Sequence, residues 1–229
     1  MKKFLFGWLA VWATMLMSSV QASAVISLAE FAFNIDGAVS NGAAPAGVNI
    51  AGFNTSSGLG SISVKLSGAG NRYAGLFVDH EIDETVNTFF NESGSSSGIA
   101  AAGQGWEIDE PGFTFGNIYG NFLAGQLDGL NGVPAGSEDD VSMATDWHFA
   151  LNAGETATIS FLFSDIAPVG GFYLKQFDPD SQAAIYMSSS LLIEQDGHIP
   201  EPASLGLVGL GLLAALASSR RLPASAPAR

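Results

Sequence analysis

The sequence predicts an all-β protein: a single β-sandwich, jelly-roll-like in kind, flanked by two end segments that are not part of it. Three observations carry this. Apolar and polar residues alternate in one segment after another, the two-residue period of a strand with one buried face. Glycine- and serine-rich stretches such as GAVSNGAAPAG, SGSSSG and LNGVPAGSEDD separate those segments, as turns separate short strands. Helical periodicity between residues 25 and 197 is weak.

In chain order, AEFAFNID sets Phe31, Phe33 and Ile35 on one face. In SISVKLS, Ile62, Val64 and Leu66 face one way, and Ser61, Ser63, Lys65 and Ser67 the other. NRYAGLFVDHEID is a more apolar strand through Tyr73, Leu76, Phe77 and Val78. Short helical pieces are expected near 83–90 and 121–130. Residues 92–105 read as loop, with Gly94-Ser95-Ser96-Ser97-Gly98 its flexible part. DWHFAL alternates again through Trp147, Phe149 and Leu151. Asn152-Ala153-Gly154 then reads as a hairpin loop, since glycine accepts positive φ. The return strand carries Ala157, Ile159, Phe161 and Phe163, and two more strands are expected at 172–177 and 185–193. Many short strands at regular spacing argue for a sandwich.

Charge and cysteine content exclude whole classes. Between residues 25 and 200 the only basic residues are Lys65, Arg72 and Lys175, against 21 acidic ones, a formal charge of -18. Such a surface repels nucleic acid and anionic headgroups, because phosphate binding draws on Lys and Arg. It suits divalent cations. With no cysteine, disulfides, thiolate metal sites and cysteine nucleophiles are absent, so the fold rests on its apolar core.

The ends divide the chain into 1–24, 25–197 and 198–229. MKKFLFGWLAVWATMLMSSVQASA reads as a signal peptide: Lys2 and Lys3, an apolar run over 4–17, then Ala22-Ser23-Ala24, the small residues a signal peptidase requires. Cleavage is expected after Ala24. At the other end, 203–219 carries no charge. As a hydrophobic helix it would be about 25 Å long at ~1.5 Å per residue, just short of a ~30 Å bilayer core. Its glycines and alanines permit close helix contact. Arg220 and Arg221 follow and would keep the C-terminus cytoplasmic.

Pro200-Glu201-Pro202, the Gly/Leu/Ala-rich segment and the paired arginines, in that order, resemble a PEP-CTERM sorting signal. Only the tail LPASAPAR runs on further than is usual. The resemblance implies export across the inner membrane of a Gram-negative-type bacterium and transient membrane anchoring through the C-terminal helix. It also implies processing near Pro200–Pro202 by an exosortase, a membrane-embedded cysteine protease or transpeptidase. The family is associated with biofilm and extracellular polysaccharide, which makes polysaccharide a candidate partner. The segment 140–193 also resembles the β-rich region that precedes the signal in PEP-CTERM proteins of unassigned function. That likeness brings no activity with it.

Candidate chemistry in the body is sparse. Gly94–Gly98 fits G-x-S-x-G, but no helix pattern follows, as a nucleophile elbow requires. His80 and His148 are the body's histidines and have no zinc-site spacing. On a strand, Asp79, Glu81 and Asp83 point to one face. Three such carboxylates repel one another unless solvent or a cation relieves them, and calcium, which takes six to eight oxygens, is the natural ion. A solvated acidic strand end is the plainer alternative. Glu107, Asp109 and Glu110, and Glu138-Asp139-Asp140, are further acidic groups. Trp106, Trp147, Tyr73, Tyr119, Tyr173 and Tyr186 are core residues, or sugar-stacking rings where exposed. The expectation is a non-enzymatic, structural or adhesive envelope or matrix protein. The alternatives are a calcium-dependent carbohydrate-binding module and, behind it, a secreted hydrolase. N-terminal sequencing of the exported protein should return Val25; recovery of Met1 would overturn the cleavage site.

Overall fold

The computed structural model describes residues 24–84, 87–112 and 114–195. The signal segment up to residue 23, the 203–219 segment, Pro200, Glu201, Pro202, Arg220 and Arg221 lie outside them. The chain runs through β1 (Ile26–Ile35), β2 (Ala38–Asn41), β3 (Val48–Asn54), β4 (Leu59–Ser67) and β5 (Gly70–Ile82). After a 3-10 turn at Phe89–Asn91 come β6 (Ser93–Ser97), β7 (Gln104–Asp109) and the helix α1 (Ile118–Ala124). β8 (Ser142–Leu151), β9 (Glu155–Ser164), β10 (Tyr173–Phe177) and β11 (Ala184–Gln195) complete it.

Two antiparallel sheets face one another: a five-stranded sheet in the order β2-β1-β5-β8-β7, and a six-stranded sheet in the order β3-β4-β9-β11-β10-β6. The expected sandwich is therefore present. Alternation explains its interior. Ile62, Val64 and Leu66 of β4 and Ala157, Ile159, Phe161 and Phe163 of β9 are all buried, and they meet Phe33, Leu76, Val78, Met143 and Trp147 from the opposing sheet in one apolar cluster. The register Ile62↔Phe161 and Val64↔Ile159 sets the inward side chains of β4 and β9 side by side.

The central strand β5 is buried on both faces. Its inward residues join the core, while Phe77 points outward beneath α1, where it packs with Ala32, Ile118, Phe122 and Ala144. The helix is short because it caps early. Gly125 takes a left-handed φ of 65°, which glycine adopts without a Cβ penalty. Asn34, itself buried, donates to the Phe122 carbonyl at 2.8 Å and the Leu123 carbonyl at 3.2 Å, satisfying orphan groups at the helix end.

Three local expectations are corrected. The turn 152–154 is not a hairpin: β8 belongs to one sheet and β9 to the other. Gly154 still has positive φ, 79°, and the Glu155 carboxylate accepts from the Asn152 N–H at 2.7 Å; the tight turn carries the chain across the sandwich instead of pairing its arms. The serine-glycine run is an edge strand, not a flexible loop. Its ladder with β10 pairs Ser95↔Lys175 and Ser97↔Tyr173, and a Cβ at Gly94 would collide with Ile108. Strand β7 occupies the end of the same expected loop. The helical pieces shrink to the 3-10 turn at Phe89–Asn91, at the end of the expected 83–90, and to α1, which begins three residues before the expected 121–130 and ends within it.

Neighbours on β9 provide a direct test of the buried face. Phe161 is fully buried and Leu162 is 48% exposed. Phe161→Ala should cost about 3–5 kcal/mol in urea unfolding, the range for a large core truncation. Leu162→Ala should cost less than about 1 kcal/mol. Equal losses would refute the assignment of the interior.

Candidate functional site

The outer face of the five-stranded sheet gathers carboxylates. β5 pairs with β8 so that Asp79 stands opposite Ser142, and the Ser142 hydroxyl donates to Asp79 Oδ1 at 2.9 Å. Continued two residues further, this antiparallel register sets position 140 beside position 81. Asp79, Glu81 and Asp140 each offer an oxygen, and the three oxygens lie within 4.8 Å of one another. Asp79 is only 5% exposed. Glu81 Oε2 and Asp140 Oδ1 are shielded from solvent and have no hydrogen-bond partner among the described residues.

On the other flank, β1 is bulged between Leu28 and Glu30, which puts Glu30 rather than Ala29 opposite Asp79. Behind the group lies a wholly buried carboxylate, Glu92. It accepts from the Ile82 N–H at 3.3 Å and from the Gln176 side-chain amide, and Gln176 also donates to the His80 carbonyl at 2.7 Å.

Proton affinities follow from this crowding. Burial first, then the charge of Asp140, raises Asp79 to about 7. Burial, followed by the charges of Asp140, Asp79 and Glu84, raises Glu81 to about 8. Asp140 is raised to about 6 by burial and by Asp139. Glu92 is raised to about 8 by burial, against which the Gln176 hydrogen bond works. Each shift opposes the ionised form. A divalent cation among the three grouped carboxylates would reverse that balance, and their oxygens are the hard donors calcium prefers.

The structure thus brings Asp79 and Glu81 together, but the third expected ligand, Asp83, is not with them. β5 ends at Ile82, and Asp83 turns to φ 55°, which breaks the alternation. Its carboxylate accepts from the Val25 N–H at 2.5 Å, and its own N–H donates to the Val25 carbonyl at 2.7 Å. Cleavage after Ala24 would turn that Val25 amide into an α-ammonium facing a carboxylate. Asp140 takes the vacated place in the group. The signal for it was present in the acidic triplet 138–140, but only the β5–β8 register shows which strand it meets.

Other predicted residues are placed elsewhere. Glu107 accepts from the Asn121 side chain at 3.0 Å and so ties β7 to α1. Asp109 accepts from the Asn117 N–H at 2.8 Å. Glu110, with Phe89, Phe90, Pro111, Phe115 and Asp140, lines a groove of about 240 Å³, in which Phe90 and Phe115 are exposed. Asp140 therefore belongs both to the carboxylate group and to the rim of an aromatic groove. His80 is fully buried, its Nε2 3.1 Å from the Gly58 carbonyl, and burial lowers its pKa to about 4. His148 packs its ring on Tyr73, with ring centres 4.8 Å apart, and stands 3.7 Å from the buried Asp146. Trp147 donates its indole N–H to Ser189 at 3.0 Å. Trp106 packs on Phe172 and Tyr119 on Phe77.

Residues 198–221 match the family model of the PEP-CTERM protein-sorting motif. The match covers the C-terminal label and none of the sandwich. No curated protein and no solved structure matches the chain. The chain thus carries a PEP-CTERM sorting signal, which implies export, transient membrane anchoring and recognition by an exosortase. Among the described residues no helix is long and apolar enough to cross a membrane.

The carboxylate group dictates a pH trend. Asp79, Glu81 and Asp140 hold protons more tightly folded than unfolded, so the folded state binds more protons between roughly pH 4 and 8, and stability falls as pH rises through that window. In EDTA, the melting temperature should drop from pH 5 to pH 8.5, and Glu81→Gln should flatten the drop. A melting temperature that rises across the window would contradict the arrangement.

Proposed function

We propose that the sandwich is a non-catalytic module, structural or adhesive, displayed by exosortase-dependent sorting at the surface or in the extracellular matrix of a Gram-negative-type bacterium. One observation supports this most: the last strand, β11, ends at Gln195 and the sorting motif begins at residue 198. The folded body is thus followed almost at once by the segment the membrane enzyme handles. The positions of the histidines support a non-catalytic body. His80 is spent in the core, and His148 faces an aspartate and a tyrosine ring.

The chemistry of the label fits a processed tether. Pro200 and Pro202 fix φ near -65° and have no amide proton to give a sheet or a helix interior. Glu201 resists being drawn into hydrocarbon. The apolar segment that follows and the arginine pair at Arg220 and Arg221 supply the charge pattern that holds a C-terminus on the cytoplasmic side.

A second reading, a calcium-dependent carbohydrate-binding module, is favoured by one observation: Asp140 joins the carboxylate group to the groove that bears Phe90 and Phe115. There a cation would both relieve the carboxylates and face a sugar stacked on the aromatic rings.

The sorting reading is tested by blotting cell-bound and released fractions with and without the exosortase. Glu201→Ala combined with Pro202→Ala should leave a full-length, membrane-retained form, while the wild type loses its label. Arg220→Ser with Arg221→Ser should impair retention before processing. Unchanged processing in the Glu201/Pro202 variant would refute the sorting site. For the second reading, calcium should raise the melting temperature of the wild type and not that of Asp140→Asn.

A further inference from the structure

The outer face of the six-stranded sheet differs sharply from the acidic face across the sandwich. Strand register aligns its side chains in rows. Ser95, Lys175, Tyr186 and Ser164 lie side by side across β6, β10, β11 and β9. Ser190, Ser160 and Ser63 do the same across β11, β9 and β4. The Tyr173 and Tyr186 rings meet edge to face with centres 5.7 Å apart. These rows carry no carboxylate.

Charge separates this face further. Of the three basic residues in the body, Arg72 is committed to Asp36 at 2.7 Å. The other two, Lys65 and Lys175, both project from this sheet. Lys65 is exposed on β4, and Lys175 rests 4.2 Å above the Phe177 ring. One carboxylate shares the face, Glu194 beside Thr156, near the Lys65 end and away from the row of Lys175 and Tyr186, so along the described strands the two lysines outnumber it.

We propose that this face binds an extended acidic polysaccharide, one that carries uronate carboxylates. The proposal rests on the adhesive reading above and names its ligand and its face. Half-buried tyrosine rings offer apolar surfaces with a polar tip, which suits the C–H face and hydroxyls of a pyranose. Rows of serine hydroxyls can donate to and accept from sugar hydroxyls. The lysines supply the counter-charge. Lys65 pairs with Thr158 and Tyr186 with Ser164, so the two lysines are six residues apart along β9 and three strands apart across it. That is a diagonal of about 25 Å at ~3.3 Å per residue and ~4.8 Å per strand. Only a chain of several sugars reaches both. A protein partner fits less well, because the cores of protein interfaces are depleted in serine and lysine.

The test uses full-length protein in mild detergent with EDTA present, so that a cation on the opposite face contributes nothing. Polygalacturonate is the acidic probe and dextran the neutral one, with affinities read by calorimetry at two salt concentrations. The wild type should bind polygalacturonate with an affinity that falls as salt rises, and dextran more weakly. Lys65→Gln with Lys175→Gln should weaken binding roughly tenfold or more and remove its salt dependence; Tyr186→Ala should weaken it by a similar factor, as loss of a stacking anchor does. The lysine variant should melt as the wild type does, which separates lost binding from lost folding. Equal affinity for the two glycans, no effect of the lysine pair, or self-association in sedimentation velocity without glycan binding would each overturn the proposal. A protein that is sorted and displayed but binds no polyuronate refutes this inference alone; one that binds but is never displayed refutes the surface reading alone.

Discussion

Double burial of β5 is the constraint from which much of the rest follows. A strand in the middle of a sandwich sheet must satisfy two environments at alternate residues. The inward positions Ala74, Leu76 and Val78 pack on the six-stranded sheet. The outward position of Phe77 is covered by α1. The helix covers only a short length of the sheet, however, and the next outward positions are Asp79 and Glu81. Hydrophobic cover gives way to carboxylates on one strand within two residues. The inner face meanwhile continues unbroken through His80 and Ile82, both fully buried.

That handover has an energetic consequence. Carboxylates withdrawn from water must be paired, protonated or coordinated. Glu92 is paired, through Ile82 and Gln176. Asp79 has Ser142. Glu81 and Asp140 keep oxygens that nothing in the described fold satisfies. Their remaining exposure to solvent, or a held proton, relieves the acidic face, and Glu81 and Asp140 are only partly buried. The far face is sparser in carboxylates: among the outward positions of its described strands stands Glu194, beside Thr156, at the opposite end of β11 from the row that holds Lys175 and Tyr186.

Much of the fold was legible, because side-chain alternation is a local property. β4 and β9 bury the residues that the pattern assigns to one face. Partnership between strands is not local, and there the sequence was silent. The turn at 152–154 has the residues of a hairpin, yet it crosses between sheets, because the same tight geometry serves either purpose and the choice depends on where β11 docks against β9. β6 was illegible for the opposite reason. Ser93–Ser97 has no apolar alternation at all and becomes a strand only because β10 offers it a ladder. In the candidate site, Asp79 and Glu81 could be read from spacing. Asp140, sixty residues away, and Glu30, placed by a bulge, could not. Asp83 failed because the strand stopped one residue before it.

The position of the tether bears on how both faces can be used. β11 pairs with β9 to its last residue, Gln195↔Glu155, and the Gln195 side chain donates to the Gly154 carbonyl at 3.1 Å. The chain therefore leaves the sandwich at the end of a central strand, beside the corner where it crosses between sheets. An attachment at the end of a strand occupies neither broad face. Gln195, the last described residue of β11, lies at a strand end, away from the centre of the acidic face with its helix and of the hydroxyl-rich face with its lysines. The recognition proposed for those faces and the processing proposed for the label therefore draw on different residues, so a substitution on either face can be read for binding without touching the sorting motif.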